Sequence, residues 1–504
     1  MEKQIVWDLE NSYENLPKEF FTYAKKSNFP EPNLVLWNEK LAKDLGFPDS
    51  IGLSDVEKAG IFSGNEFLAG TSPIAQAYAG HQYGYLNMLG DGRAILLGEK
   101  VLSSGERVDV QLKGSGRTVY SRGGDGRASL APMLREYLIS EAMAAFGIPS
   151  TRSLAVVTTG EDIRREGILP GAVLTRVASS HIRVGTFQFA ASLEPSNLRA
   201  LADYTILRHF SHLAEAKEDE KYRLFLRAVI ENQASLIAKW QSVGFIHGVM
   251  NTDNMVISGE TIDYGPCAFM DAYNPKTVFS SIDRHGRYRY ENQPPIAQWN
   301  LARFAETLLP LLSANEEEAL LIANEEIMKF KPLYEEFWFD GICQKLGIFD
   351  KKAEDATLID ELLSLMLENE ADFTNTFVRL TLERMERDGA YLEGTQRLFA
   401  DENFERWHQK WSARLENQKM EDKETASVML QSEIARRMQE ANPFVIPRNF
   451  RVEEVLQKAL EGELNPFREL LSVLQAPYRY DEKDREYQEL PKYSMAGYRT
   501  FCGT

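Results

Sequence analysis

Phe245-Ile246-His247-Gly248-Val249-Met250-Asn251-Thr252-Asp253-Asn254-Met255-Val256-Ile257, followed by Thr261-Ile262-Asp263-Tyr264-Gly265, marks the point where this chain changes character. Apolar pairs bracket a polar loop, so the stretch reads as an irregular segment with two short strands between 245 and 264. Upstream lies a helix over 221–243, with Phe225, Val229, Leu236, Trp240 and Val243 on one broad stripe and Gly244 as its stop. Downstream of Pro294 nearly every periodic segment is helical, and much of it is Glu-rich.

Further upstream the texture is different. From 88 to 177 short apolar runs alternate with glycine-containing turns, at 94–97, 108–112, 154–157 and 172–174, as in a mostly antiparallel sheet. A helix over 132–146 interrupts them: Leu134, Leu138, Ala142 and Ala145 recur at helical spacing, and Gly147 precedes Ile148-Pro149. These readings imply a mixed sheet lobe, a helical lobe and a long helical C-terminal extension. The first 70 residues give no clear pattern.

The 504 residues suffice for several domains, and 43% hydrophobic with 26% charged residues indicates a globular chain without an apolar run of about 18 residues for a bilayer. Met1-Glu2-Lys3-Gln4-Ile5-Val6-Trp7-Asp8 lacks the features of a secretory signal, so a cytoplasmic location is expected. Cys267, Cys343 and Cys502 are too scattered for a disulfide framework or a metal site. The formal charge is −18, from 57 Lys and Arg against 75 Asp and Glu, which argues against nucleic-acid and anionic-membrane partners. A small-anion site would have to be built locally.

Two stretches interrupt the acidic background. Leu112-Lys113 ends an apolar strand, and Gly114-Ser115-Gly116-Arg117 and Ser121-Arg122-Gly123-Gly124-Asp125-Gly126-Arg127 follow, with five glycines and three arginines. Packing explains that composition poorly, whereas a phosphate cradle explains both residue types. Just before the strand, Gly90-Asp91-Gly92-Arg93 has the same composition, although alone it would read as a hairpin turn. The second stretch is free of carboxylates from Glu166 to Glu194 and holds Arg176, His181 and Arg183, a candidate second phosphate clamp.

The order of glycine loop, strand with Lys113 and helix with Glu136 resembles the protein-kinase N-lobe, where a Lys–Glu ion pair positions nucleotide phosphates. The opening stretch resembles the kinase catalytic loop, His-Arg-Asp-x-x-x-x-Asn, and the later Asp-Phe-Gly. His247 aligns with its histidine, Asn254 with the metal-binding asparagine and Asp263-Tyr264-Gly265 with Asp-Phe-Gly. The catalytic aspartate falls on Val249, which cannot accept a proton, and Asp253 is the nearby carboxylate that could replace it. Three readings stay open: an inactive binding module, a phosphotransferase with a displaced base, or another transfer from the same nucleotide. The many arginines favour ejection of pyrophosphate, the most highly charged leaving group available.

Together with Tyr78-Ala79-Gly80-His81-Gln82-Tyr83-Gly84 and Asp263-Tyr264-Gly265-Pro266, these motifs resemble the selenoprotein O (SelO, YdiU) family over nearly the whole chain. The resemblance implies an α+β, protein-kinase-like bilobal fold with an antiparallel sheet N-lobe, a helical C-lobe and a helical C-terminal extension. Expected units are an N-terminal extension over 1–70 packed on the core, an N-lobe over 71–180, a C-lobe with catalytic and metal loops over 181–331, and a C-terminal extension with a redox tail over 332–504. The implied activity is transfer of AMP from ATP to Ser, Thr or Tyr hydroxyls of proteins, with uridylylation from UTP as the alternative and a pseudokinase or an ordinary kinase behind it. Implied roles are an ion pair of Lys113 with Glu136, ATP binding by Gly90, Gly92, Arg93, Lys113, Asp125, Gly126, Arg176, Arg183 and Asp263, and Mg²⁺ or Mn²⁺ on Asn254 and Asp263. Asp253 is the implied proton acceptor, and Cys267 with Cys502 the implied redox pair. Protein substrates and ATP are the expected partners of a monomer.

Overall fold

The run Leu154-Ala155-Val156-Val157 has no polar alternation because both faces of its sheet are covered in the computed structural model, which describes residues 7–47, 52–165, 167–418, 426–492 and 497–501. Val156 and Leu174 point into one core with Leu134 and Leu138; Val157 and Val173 point into another with Trp7, Phe47 and Phe62. The strands are β1 (Phe21–Tyr23), β2 (Asn33–Trp37), β3 (Ile74–Gln76), β4 (Ala79–Gln82), β5 (Tyr85–Met88), β6 (Ala94–Val101), β7 (Arg107–Lys113), β8 (Ala128–Ser129), β9 (Arg152–Arg164) and β10 (Ile168–Ala178). One antiparallel sheet runs β1-β3-β6-β7-β10-β9-β2 with β8 added on β10, and β4 pairs with β5 as a separate hairpin. The region before residue 70 thus supplies two strands of this sheet, plus α1 (Glu39–Asp44) and α2 (Asp55–Ser63), whose Ser54 and Glu57 form a capping box.

Helix α3 (Leu130–Ala145) crosses the opposite face and carries Glu136. The helical lobe follows with α4 (Val184–Ala190), α5 (Pro195–His209), α6 (Glu218–Ser242), α7 (Gln293–Leu312), α8 (Glu316–Ile327) and α9 (Phe330–Lys345). Phe187, Phe225 and Phe304 meet at its centre with centroids 5.0 to 5.8 Å apart. Between α6 and α7, β11 (Phe245–Ile246) pairs with β12 (Ala268–Phe269). The second strand therefore lies beyond the expected 245–264 window. Val256 instead makes a single bridge to Arg183, and Ile257 N–H donates to the Ile182 carbonyl at 2.9 Å, because Ser258-Gly259 turns the chain away at once.

The extension comprises α10 (Asp355–Glu368), α11 (Phe373–Arg384), α12 (Gln396–Phe399), α13 (Glu402–Glu416), α14 (Ala426–Ala441), α15 (Asn449–Leu460) and α16 (Asn465–Leu474). Trp407 and Trp411 stack in its own core. It then returns to α3, where Phe467 meets Tyr137 and Glu453 pairs with Arg135 at 2.9 Å. Among the described residues no helix is long and apolar enough to cross a membrane.

One buried cation, at the end of α9, stands outside any ion pair. Lys345 is 2% exposed, its ammonium 4.3 Å from the Phe377 ring centre, and no carboxylate pairs with it among the described residues. Burial lowers its pKa from the ordinary 10.5 to about 7. Between those values the unfolded chain binds a proton that the folded one releases, so this group makes stability rise with pH across the window. Lys345→Met is expected to raise stability at pH 7 by on the order of 1–4 kcal/mol and to flatten that rise. Chemical denaturation at pH 7 and pH 10 checks both effects; a destabilised variant would refute the reading.

Candidate active site

Strand β7 delivers Lys113 and β10 delivers Arg176, two neighbouring antiparallel strands with Arg176 opposite Gln111. Both cations meet Glu136 from α3. Lys113 Nζ donates to Glu136 Oε2 at 2.8 Å and to Asp263 Oδ1 at 2.7 Å, while Arg176 bonds the same two carboxylates. The expected Lys113–Glu136 pair is thus one edge of a four-membered cluster. Lys113, Glu136 and Arg176 are buried, so each carboxylate needs its cations. Burial is the largest influence on Asp263 and raises its pKa, but Arg176, Lys113 and Arg183 together hold its carboxyl well below the usual range. Asp263 is also held at φ +63, a left-handed conformation uncommon for a non-glycine residue, which fits the strain found at functional sites.

The loop between β11 and Asp263 is fastened from beneath. His247 stacks on Trp240 and its Nε2 bonds the Ile262 carbonyl at 2.8 Å, linking the loop to the residue before Asp263. Asn254 Nδ2 donates to the Val249 carbonyl at 3.0 Å, and Val249 itself is buried. Asp253 projects under the β4–β5 hairpin. Gly80 packs directly on it, where a Cβ would collide with Asp253 Oδ1. Gln82 Nε2 donates to Asp253 Oδ2 at 3.4 Å, but Asp253 Oδ1 is buried without a hydrogen-bond partner. Burial pushes the Asp253 pKa up to about 6.

A second orphaned group lies nearby. Arg183, the residue before α4, is buried over the Tyr78 ring and 3.5 Å from Asp91, yet its Nε and Nη1 have no hydrogen-bond partner. Beside the single carboxylate of Asp91, this buried guanidinium keeps donors that could receive a further anion. His181, read with it as part of one clamp, goes elsewhere: its Nδ1 bonds Asp109 at 3.0 Å, and Arg208 bonds the other Asp109 oxygen at 2.5 Å.

The glycine loops pack on each other. A Cβ on Gly92 would lie 2.9 Å from the Tyr120 carbonyl, and one on Gly126 would collide with the Gly116 backbone. Gly90 has φ +132 and Gly126 φ +70. Asp125 turns to Arg165 at 2.8 Å, outside the Lys113 cluster. Arg93, Arg117 and Arg122 pair with no carboxylate among the described residues, so the loops carry uncompensated positive charge in an acidic chain. Gln82 and the hairpin it belongs to are functional neighbours that residue-type reasoning did not single out. The signal was the glycine at position 80, which the contact with Asp253 requires.

The two lobes, the Lys–Glu pair and the His247 to Asp263 loops define a protein-kinase-like transferase whose usual catalytic aspartate is replaced by Val249. Comparison with known proteins narrows the class. A family model described as protein adenylyltransferase SelO matches residues 4–475. The protein nucleotidyltransferase YdiU of Clostridium beijerinckii is 56% identical over 505 aligned positions, covering 100% of this chain and 99% of that protein. Its counterpart of the same name in Anoxybacillus flavithermus is 55% identical over 500, covering 99% of each. The chain belongs to the SelO family and is an enzyme of the nucleotidyltransferase class.

Proposed function

We propose that the enzyme transfers AMP from ATP to Ser, Thr or Tyr hydroxyls of proteins and releases pyrophosphate. The observation that carries this reading is the presence of a buried Asp253 Oδ1 without a hydrogen-bond partner, four residues past the position 249 a kinase would use, together with the unfilled Nε and Nη1 donors of Arg183. In the proposed step the hydroxyl oxygen bonds to the α-phosphorus, and the bond from that phosphorus to the oxygen bridging toward the β-phosphate breaks. The hydroxyl proton passes to Asp253, and pyrophosphate leaves with the bridging electrons. Lys113, Arg176 and Arg183 face the developing charge, and Gly90, Gly92, Arg93, Asp125 and Gly126 shape the phosphate loops.

Asn254 and Asp263 would hold Mg²⁺ or Mn²⁺, which supplies charge neutralisation across the phosphates when bound. The donor set suits a hard cation. Asn254 uses its amide N–H₂ on Val249, so its carbonyl is the end left to ligate, and Asp263 receives both cations on Oδ1, leaving Oδ2. The reaction is placed in the cytoplasm, with a monomeric enzyme. A redox control belongs to the same reading. Thr500 Oγ1 donates to the Pro266 carbonyl at 2.6 Å, which brings the tail beside Cys267; Cys502 lies outside the described residues. Burial pushes the Cys267 thiol up to about 12, so disulfide formation requires this segment to open first. Mass spectrometry after oxidation should find Cys267 linked to Cys502, and both thiols free would refute the pairing.

Incubation with ATP labelled at the α- or γ-phosphate tests the main reading, with UTP labelled at the α-phosphate in parallel. Covalent α-label from ATP is expected. Transfer of the γ-label would mean a kinase, UTP labelling alone a uridylyltransferase, and no transfer a binding module. Asp253→Asn is expected to slow transfer about 10²- to 10⁴-fold with nucleotide binding retained.

A further inference from the structure

Two surface segments meet at Asn251, two residues before Asp253, and both bond its side-chain oxygen. On one side the β4–β5 hairpin sits on the catalytic loop, with His81 N–H donating to Thr252 Oγ1 at 2.6 Å and Tyr83 N–H to Asn251 Oδ1 at 3.4 Å. Its outer strand is unusually apolar for its exposure: Tyr85 is 78%, Leu86 50% and Met88 53% exposed. Among the described residues strand β5 pairs only with β4, so its other edge is without a strand partner.

On the other side is the stretch Asp283-Arg284-His285-Gly286-Arg287-Tyr288-Arg289, a concentration of cations in a chain of charge −18. Its shape is fixed, because the Asp283 carboxylate accepts the N–H groups of Arg287 and Tyr288, both at 2.8 Å. Tyr288 hydroxyl donates to the same Asn251 Oδ1 at 2.8 Å, and its ring lies 5.5 Å from that of Tyr83. Arg289 is paired with Glu291, but no carboxylate pairs with Arg284 or Arg287 among the described residues. Arg287 lies over the Trp299 ring, which also meets Arg303 and the His81 edge, so the basic segment reaches the base of the hairpin.

We propose that this surface is the docking site for the protein substrate and that it selects an extended acidic segment. Carboxylates beside the acceptor residue meet Arg284 and Arg287, and the segment runs along the edge of β5 with apolar side chains on Leu86 and Met88, which share one face of the strand. The inference rests on the protein-transfer reading above. It adds the chemistry of the partner, for which neither the phosphate loops nor the cluster around Lys113 provides a reader.

The test is fluorescence anisotropy with a short labelled peptide in which aspartates and leucines flank a tyrosine, against the same peptide with lysine for each aspartate. The acidic peptide is expected to bind at least about tenfold more tightly, an advantage that shrinks as salt rises. Arg284→Glu with Arg287→Glu should abolish or invert the preference, and Leu86→Ser with Met88→Ser should weaken both peptides, at unchanged thermal midpoints. Equal binding of the two peptides, or a preference that survives the charge reversal, would overturn the proposal. Adding α-labelled ATP to the same samples separates the two readings. A bound but unlabelled acidic peptide counts against transfer and for docking, whereas lysate labelling without peptide preference counts the other way.

Discussion

Asp263→Ala is expected to eliminate label transfer, with a loss on the order of 10³-fold or more. The residue has two separable tasks. Its Oδ1 fixes Lys113 and Arg176 between itself and Glu136, and its Oδ2 is one of two oxygen donors proposed for the metal. Removal leaves two buried cations against the single carboxylate of Glu136, so both rotate toward it and away from the phosphates. The same imbalance lowers stability by about 3–5 kcal/mol, since one member of a buried charge network has gone. Two measurements on one sample keep these effects apart. Transfer is followed with α-labelled ATP at a temperature well below the variant's own thermal midpoint, where it is folded. Transfer within about tenfold of the unaltered enzyme under those conditions would refute the assignment. Asp253→Asn is the contrast, because it removes the proposed proton acceptor and leaves the cluster whole.

How much of this was legible without coordinates depends on sequence separation. His247, Asn254 and Asp263 were readable because their spacing is local, and Lys113 and Glu136 because a strand end and a helix follow each other. From the residues themselves Arg176 was visible as an arginine in a stretch without carboxylates, and the family resemblance added an expected role in ATP binding. That its partners are Glu136 and Asp263, 40 and 87 positions away, is a property of the sheet register. Strands β1 and β2 were not legible because each is short and is stabilised by β3 and β9, which lie far along the chain. The misplaced partner of β11 has the same origin. Val256 and Ile257 are as apolar as Ala268 and Phe269, and nothing local says that a turn cuts the first pair short. The basic stretch at 284–289 was in plain sight but matches no motif, and only the contact of Tyr288 with Asn251 gives it a place.

A loss of stability as large is expected far from the nucleotide, at Arg448→Ala. Arg448 is 1% exposed just before α15, and its guanidinium bonds Asp372 Oδ2 at 2.6 Å, Asp372 Oδ1 at 3.0 Å, Asn375 Oδ1 at 2.9 Å and Asp271 Oδ1 at 2.7 Å. Asp372 also caps α11, accepting the Asn375 N–H at 2.7 Å, and Asp271 follows β12 in the segment that begins at Asp263. One cation therefore ties the C-terminal extension to the active-site segment. Truncation leaves two carboxylates facing each other without a cation, one fully buried, at a cost of about 3–5 kcal/mol and a fall in thermal midpoint on the order of 10 °C. Burial already raises the Asp372 pKa with Arg448 in place, so its carboxyl should protonate readily once the guanidinium is gone. This gives the prediction its own control. Adding Asp372→Asn to Arg448→Ala should restore part of the lost stability, although each substitution alone is destabilising, because the second removes the uncompensated charge the first created. A midpoint within about a degree of the unaltered enzyme for Arg448→Ala, or strictly additive losses in the double variant, would show that Asp372 is satisfied by other means.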